Sequence, residues 1–77
     1  MDGRIMIDAG IRDITGRLRT LLMESPIADL RNLRVQQDGD RVLLVGRVRT
    51  FYAKQMAQET IRCAARGLLI VNEVKVD

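Results

Sequence analysis

The 77-residue chain has no histidine and no tryptophan, and only one cysteine, one proline, one tyrosine and one phenylalanine. Without histidine, neither a Ser-His or Cys-His nucleophile nor a zinc site of Cys and His ligands can be assembled. The lone Cys63 has no intrachain disulfide partner, so it says nothing of an oxidising compartment. Long apolar runs are also missing. Val42 to Val45 and Leu68 to Val71 are far shorter than the roughly 20 residues that span a bilayer. Met1 to Asp8 lacks the apolar core of a signal peptide, which for a complete chain predicts the cytoplasm. Charge of one sign is not dominant: 13 Lys and Arg against 10 Asp and Glu give +3, too little by itself to announce a nucleic-acid binder. There is no phosphate-binding glycine loop, metal cluster or paired general acid and base, so neither an enzyme nor a cofactor is expected.

What is present reads as one small folded domain, with 47% hydrophobic and 30% charged residues. Ile7, Ile11, Ile14, Leu18, Leu21 and Leu22 recur at helical spacing, with Arg12, Asp13, Arg17, Arg19 and Thr20 on the opposite face. Asp2 or Asp8 supplies the N-cap, and Ser25-Pro26 stops the helix because proline has no amide hydrogen and disfavours helical geometry before it. Alternation around Leu33 and Val35, then Asp38-Gly39-Asp40, then the run Val42 to Val48 predicts a hairpin turned by Gly39. A calcium loop starting at Asp38 would need its closing Glu at position 49, where Arg49 stands.

Thr50 is placed to cap a second helix with an apolar stripe of Ala53, Met56, Ala57, Thr60, Ile61 and Ala64. Gly67 fits its C-terminal cap, and Cys63 falls at the edge of the stripe, where a half-buried structural role is expected. Leu68 to Val76 forms the last strand. The predicted class is α+β, helix-strand-strand-helix-strand, with two helices on one face of a three-stranded mixed sheet and a right-handed crossover.

The ordered set Leu33-Arg34-Val35, Asp38-Gly39-Asp40-Arg41, Val42 to Val48 broken by Gly46, then Lys54, Ala57, Ala64 and Val71-Asn72-Glu73-Val74 resembles the BON domain. That family is named for bacterial osmotically inducible and nodulation proteins. The resemblance spans residues 8–77 as one domain, leaving 1–7 as an N-terminal extension or the start of the first helix. It implies the same fold and a non-catalytic module of the periplasm or cell envelope, associated with protein contact, assembly or phospholipid attachment. It also implies structural roles for Gly39, Gly46, Gly67 and Asn72, the last bonding a nearby turn through its amide. Asn72 comes early in the last strand compared with the family, which leaves that strand's register open.

Alternation along the strands yields a candidate site. If Val42, Leu44, Val48, Ile70, Val74 and Val76 face the helices, the other sheet face presents Leu43, Val45, Leu69 and Val71, ringed by Arg34, Arg47, Arg49 and Lys75. An apolar patch with a charged rim is the pattern of a protein contact, self-association included. The alternative is phospholipid attachment through Arg12, Arg17 and Arg19, with Arg62 and Arg66, and with Phe51 and Tyr52 dipping into the interface. Asp13, Glu24 and Glu59 interrupt those basic surfaces. Nucleic acid is a third class. Eleven Arg could grip phosphates, but the strands carry no aromatic for base stacking and the chain has no Gly-x-x-Gly loop.

Overall fold

The computed structural model describes residues 14–77; Ile7, Ile11, Arg12, Asp13 and the proposed Asp2 or Asp8 cap lie outside the described residues. Helix α1 (Ile14–Met23) places Leu18 and Leu22 in the core, with Ile14 and Leu21 against it. It ends before Pro26, as the missing amide hydrogen requires. The connection that follows is not a plain loop but a 3-10 helix (Ala28–Asn32) that buries Leu30. Buried Ser25 organises it: its hydroxyl accepts from the Ile27 amide at 3.0 Å, and its carbonyl accepts from Arg31 Nε at 2.9 Å. No hydrophobic period encodes this segment, since it is built from local side-chain to backbone bonds.

β1 (Arg34–Asp38) and β2 (Arg41–Val45) form the expected antiparallel hairpin, with Asp38 facing Arg41 across the two-residue loop Gly39-Asp40. Gly39 has φ 63°, and no non-glycine residue described has positive φ, which is the II′ arrangement with glycine leading. The run Val42 to Val48 divides at Gly46, whose φ of 136° is a conformation side chains rarely adopt. A Cβ there would meet Leu33 Cδ2 at 2.7 Å, so Gly46 also lets the chain close over Leu33.

Beyond Gly46 lies β3 (Arg47–Val48). Thr50 then caps helix α2 (Phe51–Arg62), its hydroxyl accepting from the Ala53 amide at 3.0 Å, a bond typically worth about 1 kcal/mol. Ala53, Ala57 and Ile61 are buried as their spacing predicts, and Ala65 joins them. Two expectations at this end are corrected. The helix stops at Arg62, so Gly67 is not its cap; it supplies a φ of 79° later, in the turns that lead to the next strand. Cys63 is exposed rather than half-buried: its backbone is still helical, but it lies on the solvent side with Arg62 and Arg66 while Ala65 turns to the core.

The last strand is interrupted as the second is, giving β4 (Leu69–Asn72) and β5 (Lys75–Val76). β4 runs parallel to β2 and β5 parallel to β3, and the register is continuous: Arg41 faces Leu69 and Arg47 faces Lys75, the same 28-residue offset. Amides of Leu69, Glu73, Lys75 and Asp77 donate in turn to the carbonyls of Asp40, Leu44, Gly46 and Val48. The three-stranded sheet thus has order β1-β2-β4 and is prolonged by β3-β5.

Both helices pack on one face, where Val35, Val42, Leu44, Val48 and Val74 join Leu18, Leu22, Ala57 and Ile61 in a single core. Burying each Val, Leu or Ile contributes roughly 1.5–3 kcal/mol. Asn72 points into this layer. Its Nδ2 donates to the Lys54 carbonyl at 2.9 Å and to Gln58 Oε1 at 3.3 Å, while its Oδ1 accepts from the Val74 amide. It therefore fastens the last strand to helix α2 as well as bonding locally, which is more than the turn contact expected of it.

Candidate functional site

The sheet face that neither described helix covers follows from the pleat, because every residue next to a helix-facing one looks the other way. The register sets its rows. Asp38, Arg41 and Leu69 lie side by side, then Gln36, Leu43 and Val71, then Arg34 and Val45 beside Glu73, and finally Arg47 with Lys75. Leu43, Val45 and Val71 are half-buried, and Leu69 keeps 62% of its surface exposed. The four apolar side chains form a short diagonal patch across two strands. The central three are partly protected by their neighbours, so Leu69 presents the most free apolar surface.

The charged rim differs from the expectation at one position and exceeds it at others. Arg34, Arg47 and Lys75 stand on it, exposed. Arg47 Nη1 is 3.1 Å from Asp77 Oδ1, so its charge is already partly answered. Arg49 is not on the rim. Its amide donates to Asp29 Oδ2 at 2.8 Å, and its guanidinium reaches Asp29 at 2.9 Å, which turns it toward the 3-10 helix. Hydrogen bonding from the Arg49 side chain, aided by its amide, holds the Asp29 carboxyl below the usual range, and Asp29 raises Arg49 in return. A staple across 20 residues of sequence has no local signal. Arg41, Gln36 and Glu73 are further members of the face. Strand alternation alone could have found them once the register was known.

The basic and aromatic residues of the alternative site are distributed differently. Arg17 and Arg19 are exposed on α1, and Arg12 lies outside the described residues. Phe51 and Tyr52, 75% and 63% exposed, open α2 but diverge. Phe51 lines a shallow groove with Arg47, Lys54, Glu73, Lys75 and Val76. Tyr52 lines another with Ile27, Asp29 and Arg49. Neither groove includes Arg17 or Arg19, so the expected lipid-binding residues do not share one site there. On α2, Arg62 lies 3.6 Å from Glu59, an acidic interruption of the kind the spacing indicates. Among the described residues, no group of three or more Cys, Asp or Glu is arranged to hold a metal ion, and no helix is long and apolar enough to cross a membrane.

Residues 11–77 match the family model of the BON domain, which takes in the hairpin, Gly46, both parallel strand pairs and Asn72. The chain belongs to the BON domain family. BON domains are binding modules and are generally non-catalytic, in keeping with a molecule whose distinctive features are an open sheet face and two shallow grooves. No curated protein matches this BON domain. Its functional surface must therefore be read from its own geometry.

Proposed function

We propose that this BON domain, acting as one unit over residues 8–77, is a non-catalytic module that docks a protein on its open sheet face, a second copy or a neighbouring domain included. Leu43, Val45, Leu69 and Val71 would form the apolar contact, and Arg47 would be the polar anchor at its edge. The observation that carries this reading is Leu69, a large apolar side chain 62% exposed beside three half-buried ones on a face that neither described helix covers. An apolar centre inside a charged rim is how protein interfaces are generally built. Val45→Glu is the test. The variant is expected to keep its secondary structure while losing self-association in sedimentation or losing partners in affinity capture. An unchanged association state together with unchanged partners overturns the reading.

A second reading, attachment to a phospholipid surface, is favoured by the exposed Phe51 and Tyr52 and by Lys54, Arg47 and Lys75 around the Phe51 groove. Each basic residue near an anionic surface adds about 1 kcal/mol, and aromatic rings favour the headgroup region. This reading expects co-sedimentation with anionic but not neutral vesicles at low salt, abolished by Phe51→Ala with Tyr52→Ala. Failure of the unaltered chain to bind anionic vesicles excludes it.

A further inference from the structure

The sheet has two edges, and they differ. Along β2 and β3 the carbonyls of Asp40, Leu44, Gly46 and Val48 point at the β4-β5 side. The intervening residues Arg41, Leu43 and Val45 must therefore direct their amides and carbonyls at β1, where they face Asp38, Gln36 and Arg34. The amides and carbonyls of Val35 and Gln37 are left pointing outward from β1. Among the described residues, no backbone group bonds to them. On the opposite edge the outward set is Ile70, Asn72, Val74 and Val76, and there the Val74 amide is taken by Asn72 Oδ1 at 3.2 Å. One edge is thus blunted by its own side chain, while the other is a ready template for another strand.

The β1 edge has a further property: it is complementary to itself. Two copies of Arg34-Val35-Gln36-Gln37-Asp38, placed antiparallel about a two-fold axis at Gln36, set Val35 opposite the other copy's Gln37, both with outward-pointing backbone groups. The same placement sets Arg34 of each copy opposite Asp38 of the other, on the open side of the sheet. Opposite charges directly across an antiparallel pair are stabilising, and like charges are not. A parallel arrangement, or one slipped by two residues, loses both pairs. Arg34 has no ion-pair partner among the described residues, and Asp38 has only an exposed 3.4 Å contact to Arg41.

The geometry points to a symmetric dimer in which β1 pairs with β1 of a second copy, joining two three-stranded sheets into one of six strands. The interface is isologous, as a two-fold requires. It is independent of the open-face contact, because it uses the sheet edge and not the patch around Leu43.

The experiment is sedimentation equilibrium of the full chain from micromolar to millimolar concentration, combined with charge exchange at the two ends of β1. Arg34→Asp or Asp38→Arg alone should weaken the dimer about tenfold, because each creates two like-charge pairs. The combined Arg34→Asp, Asp38→Arg variant should restore it. Residues facing each other outside the hydrogen-bonded positions lie about 4.5 Å apart at Cα, within disulfide reach. Gln36→Cys in a Cys63→Ser chain should therefore crosslink to itself on mild oxidation, whereas Gln37→Cys, displaced from its own copy, should not. Gln36 and Gln37 are exposed, so these changes leave the core intact. Val71 on β4 lies beside Leu43 and not beside Arg34, so Val71→Glu separates the two ideas: the edge dimer survives it even if open-face docking is lost. A monomer throughout the concentration range, a double variant no better than the single ones, or equal crosslinking at positions 36 and 37 overturns the proposal.

Discussion

Leu43 and Leu44 are chain neighbours with the same side chain. Leu44 is wholly buried under the helices, whereas Leu43 is half-exposed on the open face. The same contrast runs through Val42 and Val45, and through Val74 and Val71. One face of the sheet is the core, closed by α1 and α2; the other carries apolar side chains that nothing else in the described chain covers. The two faces therefore answer to different demands, stability on one side and contact on the other, although residues of both kinds alternate along each strand.

The largest expected effect separates the two leucines directly. Leu44→Ala should destabilise by about 2–5 kcal/mol, since it removes buried methyl groups and leaves a cavity. Leu43→Ala should cost roughly 1 kcal/mol or less, because that side chain is already half in water. Urea denaturation of both variants checks this, and equal losses would remove the distinction between the faces.

A second comparison concerns the glycines that shape the hairpin. Gly46→Ala should cost roughly 1–3 kcal/mol, because φ 136° suits glycine and the new methyl meets Leu33. Gly39→Ala, with φ 63° and nothing within 4 Å, should cost about 1 kcal/mol. Thermal unfolding of the pair tests whether close approach, and not only backbone conformation, sets the bend where the strand leaves the hairpin.

The smallest effect lies away from both faces, at the exposed staple between Asp29 and Arg49. Folding lowers the Asp29 pKa from its ordinary value of 3.8, so the carboxylate binds its proton less readily in the folded chain. Its contribution is complete well above that value and is lost as pH falls below it, through the lower folded pKa. Acid denaturation of Asp29→Asn should show a shallower pH dependence in that window and little change at neutral pH beyond the loss of the ion pair.

The faces themselves were legible in the sequence because a period of two, Val42-Leu43-Leu44-Val45 against Leu69-Ile70-Val71-Asn72, assigns every side chain once one strand is placed. The α2 stripe and the Thr50 cap were equally readable from spacing. What escaped were features without local period. Leu30 is buried by a 3-10 helix held by Ser25, and Arg49 is drawn from the rim by a carboxylate far away in sequence. Cys63, at the edge of the α2 stripe, falls on the solvent side with Arg62 and Arg66, a choice that spacing alone does not make. The register of the last strand was open in the sequence and is set by the parallel ladder, which places Asn72 beside Leu44.

The most direct test of a contact face distinct from a core face is Leu69→Glu, at the most exposed apolar position of the patch. Sedimentation of the chain in a lysate of its own source cells, alongside a urea unfolding curve, reads contact and stability together. The account predicts a folded variant with an unfolding midpoint close to the unaltered chain and loss of the faster-sedimenting, partner-bound fraction. A variant that keeps that fraction, or one that unfolds as readily as Leu44→Ala, would contradict it.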